Sequence, residues 1–276
     1  MQNKKQQVGC GKRIFITGGA SGLGRAIAKK YASQGYKVCI GDMNEERGQS
    51  ALQELLSLGV QAHYLHCDVT KITDLENVKK TLIELWGGVD IVVNNAGVAG
   101  TAGGIEDVSM ADWEWVLNTN LLGVTRGCKV FTPLFKQQGS GYFINIASAA
   151  GLINAPQMSG YNASKAAVIS ISETLKFELQ QYDIGISVAC PAFFKTNLTE
   201  SMKSIKKGAI NTVTKIMEHS KVTADDVAND IFLSQQSGVF WVLSHKQIRH
   251  LWLLKRYVPS FFARIMTKQM NKVFSD

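Results

Sequence analysis

The sequence predicts an α/β chain folded as a doubly wound parallel sheet in one domain. Three observations predict it. Short β-branched runs alternate with longer helical stretches, several of those runs are apolar almost end to end, and a glycine cluster follows directly on the first of them. Near-continuous apolar runs are what parallel strands covered on both faces require. Alternation of this kind implies right-handed crossovers, with helices on both sides of the sheet.

The first strand is expected at 13–17, followed by a helix over 22–34. Further strands are expected at 37–41, 62–67, 89–93, 142–147 and 184–190, with a poorer one at 239–243. Helical periodicity falls near 45–58, 73–86, 110–136, 160–181 and 224–235, and Thr223-x-x-Asp226 reads as a cap before the last of these. The rhythm breaks over 193–222, a polar, lysine-bearing stretch with interspersed Leu198, Met202, Ile205, Ile210, Val213 and Met217. Such an insertion late in the fold is placed to cover a substrate pocket. No Pro/Gly/Ser-rich linker or repeat divides the 276 residues, so residues 1–276 read as one dinucleotide-binding catalytic domain with its core motifs in 13–200.

Composition narrows the function classes. With 45% hydrophobic and 19% charged residues, the chain can bury a sizeable core. Its five cysteines form no C-x-x-C pair, which points to a reducing interior rather than a disulfide framework or zinc site. His63 and His66 fall on opposite faces of a strand, so they do not read as a metal pair. The net charge of +8 sits at the ends: four Lys/Arg and no acid in 1–13, seven Lys/Arg against Asp276 alone in 241–276. The body between them carries −2, which gives no general surface for nucleic acid. Without an apolar leader or a long apolar run, the expected setting is cytoplasmic.

The chemistry-bearing residues stand at strand ends. Gly18, Ser21, Gly22, Leu23 and Gly24 join the first strand to the first helix, where glycines allow a tight turn and the helix N-terminus offers free N–H groups to a pyrophosphate. Asp42 ends the second strand, eighteen residues after Gly24; an acid there accepts the adenosine ribose hydroxyls and repels a 2′-phosphate. The next four residues (Met43, Asn44, Glu45, Glu46) include no Lys or Arg, so NAD is expected rather than NADP. Asp68 closes the third strand and Asn94-Asn95-Ala96-Gly97 the fourth. Tyr161 and Lys165 lie one helical turn apart, with Ser148 thirteen residues upstream. A tyrosine ordinarily titrates near pH 10, and a fixed cation beside it lowers that value. A drop of about two units, or about 2.7 kcal/mol, would make it a proton donor and acceptor near neutral pH.

Gly18-x-x-x-Gly22-x-Gly24, Asn94-Asn95-Ala96-Gly97, Ser148 and Tyr161-x-x-x-Lys165, in this order and spacing, resemble the short-chain dehydrogenase/reductase family over roughly residues 13–200. The resemblance implies a Rossmann-type domain moving a hydride between a nicotinamide cofactor and an alcohol or carbonyl. It makes Tyr161 the general acid/base and Lys165 the holder of the nicotinamide ribose and the group that depresses the tyrosine pKa. Ser148 becomes the partner of the reacting oxygen. Asn120 becomes the residue that positions a water in the proton relay, with Asn118 as rival; Leu121-Leu122-Gly123 after it favours Asn120. Val69 and Asn95 join the cofactor contacts, as do Phe194 and Thr196 at the nicotinamide end.

The chain departs from the family pattern twice. Pro191-Ala192 replaces Pro-Gly, and Val239–Leu243 reads Val-Phe-Trp-Val-Leu where many members have Val-Asp-Gly-Gly for tetramer packing. A homodimer through the helices carrying Asn120 and Tyr161 is therefore expected instead of a tetramer. A catalytically silent dinucleotide-binding scaffold is the competing class, but a pure binder has no need of Ser148.

The tail, 245–276, reads as a basic amphipathic helical extension. From Ile231 to Ser275 there is no Asp or Glu. Over 260–274, Phe262, Ile265, Met266, Met270 and Val273 make one face and Arg264, Lys268 and Lys272 another. It either packs on the domain or contacts an anionic membrane surface. The latter suits a lipophilic substrate.

Overall fold

A computed structural model describes residues 13–205, 214–215 and 217–274, with side chains through 268. Ile210, Val213, the N-terminal Lys4, Lys5 and Lys12, and the side chains of Met270, Lys272 and Val273 lie outside the described residues.

The chain alternates β1 (Arg13–Thr17), α1 (Gly22–Ser33), β2 (Lys37–Asp42), α2 (Glu45–Ser57), β3 (Ala62–His66), α3 (Ile72–Trp86) and β4 (Ile91–Asn94). It then passes a short strand, β5 (Gly100–Ala102), to α4 (Met110–Leu117) and α5 (Gly123–Gln138). The second half runs β6 (Gly141–Ile146), α6 (Ala150–Ile153), α7 (Ser159–Leu179), β7 (Ile184–Ala189), β8 (Met202–Ser204), α8 (Ala224–Ser237) and β9 (Trp241–Val242). Two helices end it, α9 (Lys246–Tyr257) and α10 (Pro259–Phe274).

Seven strands form one parallel sheet in the order β3-β2-β1-β4-β6-β7-β9, with helices on both faces. Period-two alternation sorts the core. Phe15, Val92 and Phe143 point to the side of Phe131 and Phe135, whereas Ile14, Ile16, Ile91, Val93 and Ile144 point to the side of Ile27 and Tyr31. Each such fully buried side chain contributes about 1.5–3 kcal/mol. The winding reverses between β1 and β4, and ligands of open α/β sheets bind outside the strand ends at that point.

Three departures from the expected elements are local. The fourth strand starts at Ile91, although the Asp90 backbone already bonds to Arg13 and Tyr142 and its carboxylate takes the Arg13 guanidinium at 3.0 and 2.6 Å. The helix expected over 110–136 is broken by a π-helical turn at Asn118–Leu122. Finally, β5 pairs in parallel with β8, tying the end of the insertion's first turn to the loop after β4. The Thr223–Asp226 capping box forms as expected. Among the described residues, no helix is long and apolar enough to cross a membrane.

A buried polar ladder sets the register of α7 against the sheet. Asn94 Nδ2 donates to Asn145 Oδ1 on the next strand at 2.8 Å, and Asn145 Nδ2 donates to Ser172 Oγ on α7 at 3.0 Å. All three residues are buried, so removing the middle one strands polar groups on both sides. Asn145→Ala is expected to lower stability by about 2–4 kcal/mol, read as a shifted urea midpoint with unchanged slope.

Candidate active site

The cleft opens where β1 and β4 end. Gly18 follows β1 with a φ of 63°, a conformation L side chains rarely adopt. A Cβ on Gly24 would collide with the Gly18 carbonyl and the Asn95 side chain. Asn95 braces this turn: its Nδ2 donates to the carbonyls of Thr17 and Gly18 at 2.8 and 3.0 Å. Thr17 Oγ1 in turn accepts the N–H groups of Asn95 and Ala96 at 2.9 and 3.1 Å. Ser21 is the N-cap of α1 without a side-chain cap bond, and Leu23 is buried beside it. The first turn of α1 therefore faces the cleft with its N–H groups available to an anion.

At the outer end, the Asp42 carboxylate accepts the N–H groups of Ala20 and Asn44 at 3.1 and 3.0 Å. Arg47, one turn into α2, also lines the cleft and meets Glu200 at 2.8 Å. It lies beyond the four residues that follow Asp42, and helical geometry rather than sequence adjacency brings it in. Burial works to raise the Asp68 carboxyl pKa, but bonds from Thr70 and the Lys71 ammonium outweigh it and hold the group below its ordinary value. Val69 is buried against Gly123, and its carbonyl accepts from Arg126 at 3.2 Å.

The inner end gathers four side chains. Lys165 is 4% exposed, and its Nζ donates to the Ile146 carbonyl at 2.9 Å. Burial pulls its pKa down to about 8. Its Nζ lies 5.8 Å from the centre of the Tyr161 ring. Asn120, inside the π turn, closes a pair of bonds with the Val98 backbone at 2.8 and 2.9 Å and reaches Ser164 Oγ at 3.2 Å. Asn118 is occupied elsewhere, accepting from Arg126 at 2.7 Å, whereas Asn120 is turned inward and fully buried behind the cleft wall at Val98. Ser148 Oγ accepts the Ala150 N–H at 3.1 Å and lies 3.4 Å from the Pro191 carbonyl.

One expectation is corrected. The tyrosine pKa is not depressed by Lys165 here. Burial pushes the Tyr161 phenol above its ordinary value, and the opposing pull comes from its hydrogen bond with Ser148. The lysine is committed to Ile146 and its own charge is weakened by burial. The phenol is thus held protonated, as a donor.

Beyond β7, Phe194 is buried, and Thr196 Oγ1 accepts the Leu198 N–H at 3.3 Å. A Cβ on Gly22 would sit 3.5 Å from Thr196 Cβ, so this loop lies across from the glycine turn. The cavity between them has a volume of about 810 Å3. Several lining residues carried no motif: Trp115, Met158, Met217 and Ile248 are apolar positions, distant in sequence, that only folding brings together.

The short chain dehydrogenase family model matches residues 12–207. The chain belongs to the short-chain dehydrogenase/reductase family. It is 30% identical over 260 residues to a CLA biosynthesis dehydrogenase/reductase of Lactiplantibacillus plantarum, covering 87% of this chain and 90% of the relative. A 3-alpha-(or 20-beta)-hydroxysteroid dehydrogenase of Mycobacterium tuberculosis is 33% identical over 190 residues, or 69% and 72% of the two chains. A short-chain dehydrogenase/reductase from Burkholderia phymatum in complex with NAD superposes with a TM-score of 0.85 at 31% identity, covering 91% of this chain and 95% of the other. The chain is thus an oxidoreductase of this family, built to bind a nicotinamide dinucleotide.

The cleft fits such a group. A Cβ built on Gly97 would lie 3.1 Å from Asn120 Oδ1 and 3.5 Å from Lys165 Nζ, filling the space onto which both side chains converge. Because the backbone around Gly24 has no room for a methyl group, Gly24→Ala is expected to cost about 1–3 kcal/mol of stability. The same substitution should weaken NADH binding at least about tenfold, measured by thermal melt and by fluorescence titration.

Proposed function

We propose that the protein is an NAD(H)-dependent oxidoreductase interconverting a secondary alcohol and a ketone or aldehyde on an apolar substrate. The observation that carries the reading is the convergence of Ser148, Tyr161 and Lys165 at the inner end of the cleft whose outer end holds Asp42, with Asn120 buried behind them next to Gly97. Gly18, Ser21, Gly22, Leu23 and Gly24 would hold the pyrophosphate, and Asp42 the adenosine ribose. Asp68 and Val69 flank the adenine side, Asn95 fixes the turn, and Phe194 and Thr196 face the nicotinamide. Asp42 disfavours a 2′-phosphate, and Arg47 is neutralised by Glu200 at 2.8 Å, which supports NAD over NADP.

The bound dinucleotide supplies or accepts the hydride. The chain's own residues handle the proton. Tyr161, protonated by virtue of its burial, gives its phenolic proton to the substrate oxygen in reduction and takes it back in oxidation. Ser148, which opposes the effect of burial on that phenol and lines the cleft beside it, is placed to orient the same oxygen. Lys165 holds the nicotinamide ribose, and Asn120 fixes the Val98 backbone and the relay beside it.

The substrate end is lined by Trp115, Ile153, Met158, Phe193, Leu198, Met202, Met217 and Ile248, none of them charged. Of the charged lining residues, Asp42, Arg47 and Glu200 lie together at the adenosine end, Asp68 lies at the end of β3, and Lys165 is the one at the inner end. A neutral, apolar substrate fits that wall, and residues of the 193–222 segment supply part of its cover. Tyr161→Phe is expected to lower ketone reduction by at least about a hundredfold while NADH binding survives. NAD should outperform NADP at least about tenfold in kcat/KM. Full activity in the Phe variant, or an NADP preference, would overturn the reading, and a screen over apolar ketones measures both.

The tail supports peripheral contact with an anionic lipid surface. Tyr257, Val258 and Phe261, at the turn between α9 and α10, are 75%, 49% and 52% exposed. Arg256 and Arg264 near the turn, Lys268 further along α10, and Lys246 and Arg249 at the start of α9 are exposed, with no acid between 246 and 268. A two-fold contact with a second copy would set this cationic patch against itself, so the partner is a bilayer, which takes both the apolar tip and the charge. A homodimer would instead use α5 and α7, a surface on which Phe177 is 72% exposed. Vesicles with acidic phospholipid should sediment the wild type, and neutral vesicles should not. Paired Tyr257→Ser and Phe261→Ser should lose about tenfold in partitioning. No binding to acidic vesicles refutes the contact, and a monomer in sedimentation velocity refutes the dimer.

A further inference from the structure

His245, at the N-cap of α9, reaches back to the loop that leaves β7. Its Nδ1 accepts the Ala192 N–H at 3.2 Å, and its Nε2 lies 3.3 Å from the Phe193 carbonyl oxygen. A carbonyl only accepts, so Nε2 carries the proton and Nδ1 none. The two contacts together select one neutral tautomer.

The loop needs such a partner. The last N–H that the sheet satisfies is that of Cys190, which donates to the Val242 carbonyl at 2.9 Å. Pro191 has no N–H, and its carbonyl already accepts from Ala149 at 2.8 Å. Ala192 is therefore the first donor beyond the ladder, at the position where family members usually have glycine. Phe194, two residues on, packs its ring 6.5 Å from the imidazole. The same helix touches the opposite wall as well: Ile248 lines the cleft, and Lys255 Nζ donates to the Leu152 carbonyl in α6, four residues after Ser148, at 2.7 Å.

We propose that neutral His245 is the positioning residue of the nicotinamide-side loop, fixing Ala192 and Phe193 so that Phe194 and Thr196 face the cofactor. The assignment rests on the NAD(H) reading given above. It gives α9 a role in cofactor affinity, although none of its residues belongs to the family motifs.

A proton on Nδ1 would set an N–H against the Ala192 N–H and release the loop. Burial lowers the imidazole pKa, and the Phe193 carbonyl and the Asp230 carboxylate on α8 act in the opposite direction without reversing it. With the folded value below the ordinary one, the hold is complete above about pH 6.5 and is lost as pH falls through the lowered value.

NADH fluorescence titration of the wild type, His245→Ala and His245→Asn between about pH 5.5 and 8 tests this. Asparagine places Oδ1 where Nδ1 stands and does not titrate. At neutral pH, His245→Ala should weaken NADH binding about tenfold, the scale of a lost hydrogen bond to an ordered loop, and His245→Asn should stay within about threefold. The wild type should lose affinity at the acid end, and the Asn variant should not. If His245→Ala is unstable in a thermal melt, the acid-end comparison of wild type with His245→Asn decides alone. Equal affinities and parallel pH profiles in all three would overturn the assignment while leaving the NAD(H) reading intact. A wild type that binds no NADH at any pH would instead defeat that reading, and the assignment with it.

Discussion

The site depends on an ammonium group buried at the carboxyl end of a central strand of the parallel sheet. Lys165 is 4% exposed and is tied to the Ile146 carbonyl at 2.9 Å, the last residue of β6. A buried charge is costly unless it is paired and hydrogen-bonded. Cys190, the ionisable neighbour that acts on it, has its own thiol pushed up to about 12 by burial and so offers it little negative charge. The lysine therefore holds its proton only weakly, with a pKa near the working range. Such a group gains from a ligand that brings further acceptors, as the ribose of a dinucleotide does.

Everything around that lysine acts to keep it in place. The Asn94–Asn145–Ser172 ladder fixes the register of α7, and the same helix presents Tyr161 one turn before Lys165. The π turn in the middle of the preceding long helix brings Asn120 inward, where Ser164 and the Val98 backbone hold it. The glycine turn and its Asn95 brace shape the other end. Burial also reverses the simple electrostatic expectation for the tyrosine. A cation one turn away lowers a phenol pKa only if it approaches the oxygen with its charge intact, and here desolvation dominates.

Much of this was legible in the sequence, for physical reasons. Parallel strands buried on both faces leave apolar runs, so β1, β2, β6 and β7 could be placed within a residue or so of their observed ends. Glycines that admit no side chain and acids at strand ends mark the dinucleotide cleft from local pattern alone. What was not legible is nonlocal. Asn95 acts by bracing Gly18 across the chain, and Arg47 enters the cleft by helical phase. Glu200 reaches it across more than 150 positions. His245 has no motif and gains its role only because β7 and β9 end side by side. The interruption of the helix at Asn118 was invisible because Asn-Thr-Asn-Leu-Leu continues the helical periodicity without a Pro or Gly breaker.

The account stands on the protonation of Lys165 in the folded protein. Titration of its side chain by NMR, with Lys165→Arg to assign the resonance, reads this directly and without turnover. The account predicts a midpoint near 8 in the dinucleotide-free protein, displaced downward from the ordinary lysine value by burial. A midpoint at or above that ordinary value, about 10.4, would contradict it.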